Sequence, residues 1–317
     1  MRNGSHINGR FLRPACRGAA ISMKPLSEDL QTPKQSLAEF SDVTKRVLGY
    51  LPNVVSEKVE ARDYIIISSM VAGISKFARP INKALFIFDI ENFDEKYNQF
   101  LSVLEKINGR KSITDKEGNL IDAVVYTIQQ SIGVGMDFLC NPNSARKHVG
   151  NRFEELIRLV VTQLGVKNDK IVFKIPYPSE DEEKLYSCET DIIVSPHGSV
   201  NSNTKSIDKN EIIVSLKTTS KDRMGKIFLD KLLMQKFAGH SVKVVGIFLN
   251  DVQRKDAEKI SYTFVSGLFM VYTKFLTKLE GVYFVDPPPI TRKNPYNQHI
   301  APFSKFLAKD IWNLLAP

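Results

Sequence analysis

The order of helical and β-rich runs between residues 152 and 315 constrains the fold of this chain more than any other feature. Apolar residues at three- and four-residue steps predict an amphipathic helix over 152–164. Short β-rich runs and further helices follow it. The predicted strands are 171–175, 191–194, 212–216, 242–249 and 282–285, and the predicted helices are 222–238, 267–279 and one near 303–315. This order predicts an α/β protein with a mixed β-sheet core flanked by helices.

Residues 33–141 carry a mostly helical pattern. Within them, the segments 65–77, 93–107 and 120–138 are each predicted as a helix. The first 23 residues contain several arginines and no acidic residue. This composition favours a disordered or vector-derived tail, although an organellar transit peptide has a similar start. We therefore predict a tail at 1–23, a helical N-terminal subdomain at 24–145 and a core at 146–317.

The charge balance favours a polyanionic partner. The chain has 44 Lys and Arg residues against 35 Asp and Glu residues, a formal charge of +9. Nucleic acid is the first candidate and an anionic membrane surface the second, although charge alone does not identify either. No apolar run reaches the roughly 18 residues of a membrane-spanning helix, so we expect no membrane partner. No phosphate-binding GxxxxGK[ST] motif is present, so we expect no nucleotide cofactor.

Cysteine and histidine usage gives no sign of a zinc site. Cys16, Cys140 and Cys188 are few, odd in number and far apart. The five histidines are scattered, and no HExxH motif occurs. Such sparse cysteines favour a reducing, cytoplasmic compartment.

Two consecutive predicted strands, 189–194 and 211–217, hold ionisable groups beside apolar runs. If the strands pair side by side, they bring Asp191 close to Lys217. A carboxylate beside a lysine can hold a hard cation such as Mg²⁺ and orient a water molecule. A simple ion pair at a strand end would also explain such a contact, and exposed pairs contribute only about 0–1 kcal/mol. Spacing alone leaves both interpretations open.

The segment after the second strand, Ser215-Leu216-Lys217-Thr218-Thr219-Ser220-Lys221-Asp222-Arg223, resembles the PD-(D/E)XK nuclease superfamily. Within it, the match is to restriction endonucleases related to EcoRII, SsoII, PspGI and NgoMIV. In that branch a small residue, here Ser215, replaces the acid two positions before the lysine. The resemblance implies that a carboxylate on the following helix takes its place, and Asp230 lies 13 residues past Lys217.

The first acid of the motif is implied at Asp191, which lies 26 residues before Lys217. Thr190 stands where the branch usually has proline, and Asp230 where it usually has glutamate. Glu189 lies on the same strand face as Asp191 and could share or replace its role. The resemblance therefore implies Asp191 and Asp230 as Mg²⁺ ligands and Lys217 as the residue that assists the attacking water.

Two further segments match the family. The stretch Lys221-Asp222-Arg223 corresponds to residues that read G·C pairs, and we place Lys226 with them as a DNA-binding residue. Arg can donate two hydrogen bonds to guanine, and Asp can accept one from cytosine. Glu154, with Glu155 as the alternative, corresponds to the glutamate of the opening helix and could hold a water or a second metal. A solvated helix face would explain these glutamates equally well.

The resemblance implies a type II site-specific deoxyribonuclease that makes Mg²⁺-dependent double-strand cuts at a short DNA site containing CC/GG. The partners implied are double-stranded DNA and a second copy of the chain, because palindromic cutting needs two active sites. A homodimer or a tetramer in a prokaryotic cytoplasm is therefore expected, with 146–317 as the catalytic core and 24–145 for DNA contacts or dimerisation. A structure-specific or repair nuclease and a non-catalytic sequence-specific DNA-binding protein remain the alternatives.

Overall fold

The computed structural model of the protein describes residues 24–71, 73–180, 182–220 and 223–316. The predicted tail at 1–23 lies outside the described residues, as do Lys221 and Asp222. None of the described helices is long and apolar enough to cross a membrane.

The N-terminal part combines helices with a small antiparallel sheet. Two of its helices begin at capping residues, Ser36 and Thr114, whose side chains accept backbone hydrogen bonds. The helices are α1 (Leu26–Gln31), α2 (Leu37–Val54), α3 (Ile90–Asn108) and α4 (Asp115–Leu139). The strands, which lie between α2 and α3, are β1 (Val55–Ala61), β2 (Tyr64–Val71), β3 (Ile74–Phe77) and β4 (Ile81–Asn82).

The predicted helix at 65–77 is wrong, because these residues form most of β2 and all of β3. Ile65, Ile66 and Ile67 are consecutive β-branched residues, and all three are buried. Three buried neighbours in a row fit a strand covered on both faces, and β-branching favours that conformation. Periodicity cannot separate a buried helix from a buried strand over so short a run.

The C-terminal part contains the mixed α/β core. Its helices are α5 (Pro142–Gln163), α6 (Met224–Ala238), α7 (Ser266–Phe275), α8 (Phe303–Lys305) and α9 (Ile311–Leu315), the last two joined by a π-helical turn. Its strands are β5 (Lys167–Asp169), β6 (Val172–Ser179), β7 (Glu182–Glu189), β8 (Ile192–Ser195), β9 (Ile212–Thr219), β10 (Lys243–Asn250), β11 (Val252–Arg254), β12 (Ile260–Tyr262), β13 (Gly281–Phe284) and β14 (Ile300–Pro302).

The central sheet has six strands in the order β14-β13-β10-β9-β8-β5. The four strands from β14 to β9 are parallel, and β8 is antiparallel to both β9 and β5. The predicted mixed sheet is therefore confirmed. The predicted strand at 171–175 does not join this sheet; it belongs to β6, which forms a separate hairpin with β7. Pro176 and Pro178 suit that position, because proline cannot donate a ladder hydrogen bond.

Side chains of β9 alternate between two cores. Ile212, Val214 and Leu216 pack into the larger cluster, which includes α4 and α5, while Ile213 packs into the cluster beneath α6. On the α6 side, the buried Lys231 donates to both carboxylate oxygens of Glu280, at 2.7 and 2.9 Å. This ion pair, in which only the lysine is buried, links α6 to the sheet, next to the β9 side chains that face α6.

Asp122 joins α4 to the C-terminal helix and makes stability depend on pH. It accepts hydrogen bonds from Ser304 N at 2.9 Å and Ser304 Oγ at 2.7 Å. Burial raises the pKa of Asp122 to about 7, although both hydrogen bonds to Ser304 oppose the shift. Because the folded carboxyl keeps a proton that the unfolded chain releases, the free energy of unfolding falls as pH rises from about 4 to about 7.

We therefore expect Asp122→Asn to stabilise the protein above neutral pH. At about pH 8 the substitution removes the cost of a buried charge, so the free energy of unfolding should rise by about 1–3 kcal/mol. At about pH 5 the gain should be clearly smaller, because the wild-type carboxyl is then protonated in the folded state. Urea unfolding of both proteins at the two pH values measures this difference. An equal effect at both pH values would show that Asp122 is ionised in the folded protein.

Candidate active site

Asp191 and Lys217 are in direct contact at the surface of the central sheet. Lys217 Nζ lies 2.5 Å from Asp191 Oδ2, and each side chain is 17% exposed. The same oxygen accepts hydrogen bonds from Leu216 N at 2.7 Å and from Ser215 Oγ at 3.4 Å. The carboxylate is therefore held by a strand backbone as well as by a lysine, unlike a mobile surface pair.

Strand register explains this contact. Antiparallel pairing aligns Ile192 with Val214, which places Asp191 across from Ser215 where β8 begins. Lys217 follows Ser215 by two residues and therefore faces the same side of the sheet. The predicted pairing of these two strands is confirmed. A small residue at 215 leaves room for the Asp191 carboxylate and avoids a second negative charge directly beside it.

Asp230 lies on α6, which covers this side of the sheet. Asp191, Lys217 and Asp230 all line one cavity of about 170 Å³. Asp230 accepts hydrogen bonds from Lys226 Nζ at 2.9 and 2.7 Å, a pairing across one helical turn. Burial alone would lower the pKa of Lys226, but the hydrogen bond and charge of Asp230 outweigh it and raise that pKa. The structure thus brings the three predicted residues to one cavity, with Asp230 held by a neighbouring lysine.

Glu154, on α5, lies at the edge of the same site. It accepts a hydrogen bond from Lys170 Nζ at 3.3 Å. Burial raises the pKa of Glu154, and the charge of Asp191 raises it further, while Lys170 and Lys217 lower it. Its carboxylate is therefore within electrostatic reach of both Asp191 and Lys217.

Glu155, the alternative to Glu154, points elsewhere. It accepts hydrogen bonds from Arg152 at 2.5 Å and from the backbone N of Lys34 at 2.9 Å. These contacts attach α5 to the N-terminal segment. Of the two glutamates, Glu154 is the one that the structure directs toward the Asp191–Lys217 pair.

Glu189 and the predicted DNA-reading residues lie at the mouth of the cavity. The Glu189 side chain is 69% exposed, and it lies 3.9 Å from Lys170 Nζ. Arg223 is exposed, immediately precedes α6 and lines the cavity together with Lys226. Lys221 and Asp222 lie outside the described residues, so their predicted contacts have no counterpart in the structure.

The carboxylates of the cavity suit a hard cation that takes only a few of its ligands from the protein. Over residues 24–71, 73–180, 182–220 and 223–316, no three His, Cys, Asp or Glu side chains lie close enough together to enclose a metal. Mg²⁺ needs only one or two carboxylates, because water and substrate phosphates complete its coordination. Asp191 Oδ1 accepts no hydrogen bond from the described residues and so remains available to a cation.

Sequence reasoning missed two lysines of the site. Lys170 holds Glu154, and Lys231 fixes α6 through Glu280. Lys170 belongs to no motif, and its partner is distant along the chain, so no sequence signal identifies it. Lys231 directly follows Asp230 in the sequence. Its burial, however, depends on how α6 packs against the sheet, which the sequence does not show.

Neither a protein-family model nor a curated protein matches this chain. Its structure is similar to the crystal structure of the Type IIP restriction endonuclease Kpn2I, with a TM-score of 0.68 and 17% sequence identity. That alignment covers 92% of this chain and 97% of Kpn2I. The restriction endonuclease PspGI, in a complex with substrate DNA, aligns more weakly, with a TM-score of 0.38 and 13% identity over 70% of this chain and 92% of PspGI. On the strength of the Kpn2I alignment, the chain has the fold of the type II restriction endonucleases.

Proposed function

We propose that this protein is a Mg²⁺-dependent type II restriction endonuclease that cuts both strands of DNA at a short site containing CC/GG. The observation that supports the proposal most is the Asp191–Lys217 contact in a cavity shared with Asp230. An isolated ion pair would need neither the backbone hydrogen bond from Leu216 nor a second carboxylate on the opposite wall.

Each residue of the cavity has a distinct proposed role. Asp191 and Asp230 would hold Mg²⁺, with Glu154 holding a water or a second cation beside them. When bound, Mg²⁺ would polarise the scissile phosphate and lower the pKa of the attacking water. Lys217 donates hydrogen bonds from a fixed position on β9, so it can orient that water and stabilise the negative charge that develops on the phosphate.

The residues at the start of α6 are proposed to recognise the bases of the DNA site. Arg223 is exposed beside the cavity and can donate two hydrogen bonds to guanine. Lys226 now pairs with Asp230, and its flexible chain can turn toward a DNA phosphate once a cation binds that carboxylate. Lys221 and Asp222 complete the proposed set. Since the same short segment joins β9 to α6, base reading and cleavage would be mechanically linked.

Cleavage of plasmid DNA tests the function directly. With Mg²⁺, the protein should convert plasmids that contain CC/GG sites into fragments with fixed ends, and EDTA should abolish cutting. Sequencing the fragment ends would give the site and the stagger together. Fragments without fixed ends would favour a structure-specific nuclease instead. Tight DNA binding in Ca²⁺ with no cutting in Mg²⁺ would favour a non-catalytic DNA-binding protein.

A further inference from the structure

A second cavity lies at the carboxyl ends of two parallel strands of the central sheet. Pairing aligns Thr219 with Asn250, the last residues of β9 and β10. The cavity has a volume of about 320 Å³. We call it the carboxyl-end cavity, and the polar residues that define it are Arg79, Asp137, Thr218, Asn250, Gln253 and Arg254. Ligands of open α/β sheets commonly bind outside the carboxyl ends of the strands.

Arg254 gives the carboxyl-end cavity its net positive charge. Arg79 and Asp137, the other two charged residues that line it, neutralise each other through hydrogen bonds at 2.8 and 2.9 Å. Arg254 is exposed and forms no ion pair with a carboxylate in the described part of the chain. Its guanidinium carbon lies 5.3 Å from the centroid of the Phe77 ring, a contact that keeps the charge at the cavity. The cavity therefore presents an arginine that is available to an anion.

Several neutral donors of the cavity also lack a partner. Asn250 is only 5% exposed, and its Oδ1 accepts from Val252 N at 3.3 Å. Its amide nitrogen, like the side chains of Gln253 and Thr218, makes no hydrogen bond within the described ranges. Amide and hydroxyl donors grouped around a guanidinium match the oxygens of a phosphate, which accept hydrogen bonds from all of them.

The carboxyl-end cavity lies beside the candidate active site, on the other face of the sheet. Thr218 directly follows Lys217, so their side chains point to opposite faces of β9. Their Cα atoms are only about 3.8 Å apart, whereas the major groove of DNA alone is about 12 Å wide. The proposed reading segment 221–223 begins two residues after Thr219, the last residue of β9. A duplex bound at this end of the strand can therefore contact both cavities.

We propose that the carboxyl-end cavity binds a phosphate of the DNA backbone, with Arg254 supplying the charge and Asn250, Gln253 and Thr218 the neutral donors. The inference rests on the proposed function, because it takes duplex DNA as the ligand. A phosphate contact carries no sequence information, so it would fix the position of the duplex while the segment 221–223 reads the bases. The β11–β12 hairpin, which carries Gln253 and Arg254, thereby acquires a role in DNA binding.

The salt dependence of DNA binding tests this site, measured with the full chain in Ca²⁺ so that binding is separated from cleavage. Each phosphate that a protein neutralises adds about 0.9 to the slope of log K against log salt concentration. Arg254→Ala should therefore lower this slope by about 0.9 and weaken binding about tenfold. The loss should be equal on DNA with and without CC/GG. Arg254→Lys keeps the charge and should keep the slope.

Arg110→Ala is the matched control. Arg110 is also exposed, and its guanidinium carbon lies 3.2 Å from the centroid of the Trp312 ring. It lies at the opposite edge of the sheet, because it borders a cavity with Ser195, the last residue of β8, and pairing places the adjacent Val194 beside Ile212, the first residue of β9. This variant should keep the wild-type affinity and salt slope.

Gln253→Glu tests whether the phosphate enters the cavity. The change preserves the size of the side chain and removes no hydrogen bond to the described residues. It adds a negative charge beside the proposed phosphate, so it should weaken DNA binding at least as much as Arg254→Ala does. Binding at the wild-type level would place the phosphate outside the cavity and overturn the proposal.

Three further results would also overturn it. The first is an unchanged salt slope in Arg254→Ala, or a wild type that binds no DNA. The second is a loss confined to DNA that contains CC/GG, because this would indicate a base contact. The third is inorganic phosphate that raises the Tm of the wild type but not of Arg254→Ala while DNA affinity is equal in both, which would assign the cavity to a free anion.

Failure of the proposed function gives a different pattern. A wild type that never cuts DNA, but whose binding loses salt dependence through Arg254→Ala, keeps the phosphate site and loses only the nuclease assignment. A wild type that cuts at CC/GG, with Arg254→Ala unchanged in salt slope, keeps the nuclease assignment and loses the phosphate site.

Discussion

Replacing Lys217 with alanine is expected to lower the rate of DNA cleavage by about 10²–10³-fold. The side chain is held by Asp191 and donates from a fixed position into the cavity. In the proposed mechanism its charge would already be in place when negative charge develops on the phosphate, and β9 holds no other lysine that could replace it. A single-turnover rate measured on plasmid DNA at saturating Mg²⁺ reports this step without the contribution of product release.

Two measurements separate a catalytic role of Lys217 from a loss of folding or of binding. DNA affinity in Ca²⁺ should change little, because most affinity comes from cations that contact the DNA backbone. Lys116→Ala removes an exposed lysine at the start of α4 and should cut at the wild-type rate. If Lys217→Ala cleaves within about threefold of the wild type, the Asp191–Lys217 pair is structural and the lysine has no part in the reaction.

The sequence predicts the candidate site best where the residues lie close together along one strand or one helix. Alternation along β9 places Ser215 and Lys217 on one face, and the hypothesis that this strand pairs with the preceding one agrees with the structure. The ion pair between Asp230 and Lys226 can also be predicted from the sequence, since residues four apart on a helix are neighbours. These features need no knowledge of distant parts of the chain.

Long-range packing explains what the sequence did not reveal. The β1–β4 sheet was missed because the burial of Ile65 and Ile67 depends on the distant helices that pack in the same core. The sequence was equally unable to decide between Glu154 and Glu155. Adjacent residues of a helix point about 100° apart, and only the positions of Lys170 and Lys34 decide which glutamate faces the site. The same holds for the strand at 171–175, whose composition does not show whether it joins the sheet or a hairpin.

The second large effect is expected for Asp191→Asn, which should lower the cleavage rate by about 10³-fold. The amide oxygen can still accept the hydrogen bond from Leu216 N, so the local strand geometry should persist. The negative charge that would attract Mg²⁺ and hold Lys217 is lost, however. The Mg²⁺ concentration that gives half of the maximal rate should therefore rise together with the fall in the rate itself.

Glu189→Gln is the matched comparison, because it makes the same chemical change two residues away. Glu189 could replace Asp191 on strand pattern alone, yet it is 69% exposed and lies 3.9 Å from Lys170 rather than in contact with Lys217. Its variant should therefore keep the wild-type Mg²⁺ dependence and cut within about threefold of the wild-type rate, as a screened surface charge predicts. The reverse outcome, with Glu189→Gln inactive and Asp191→Asn active, would move the metal to the exposed end of β7 and leave the contact between Asp191 and Lys217 as a purely structural pair.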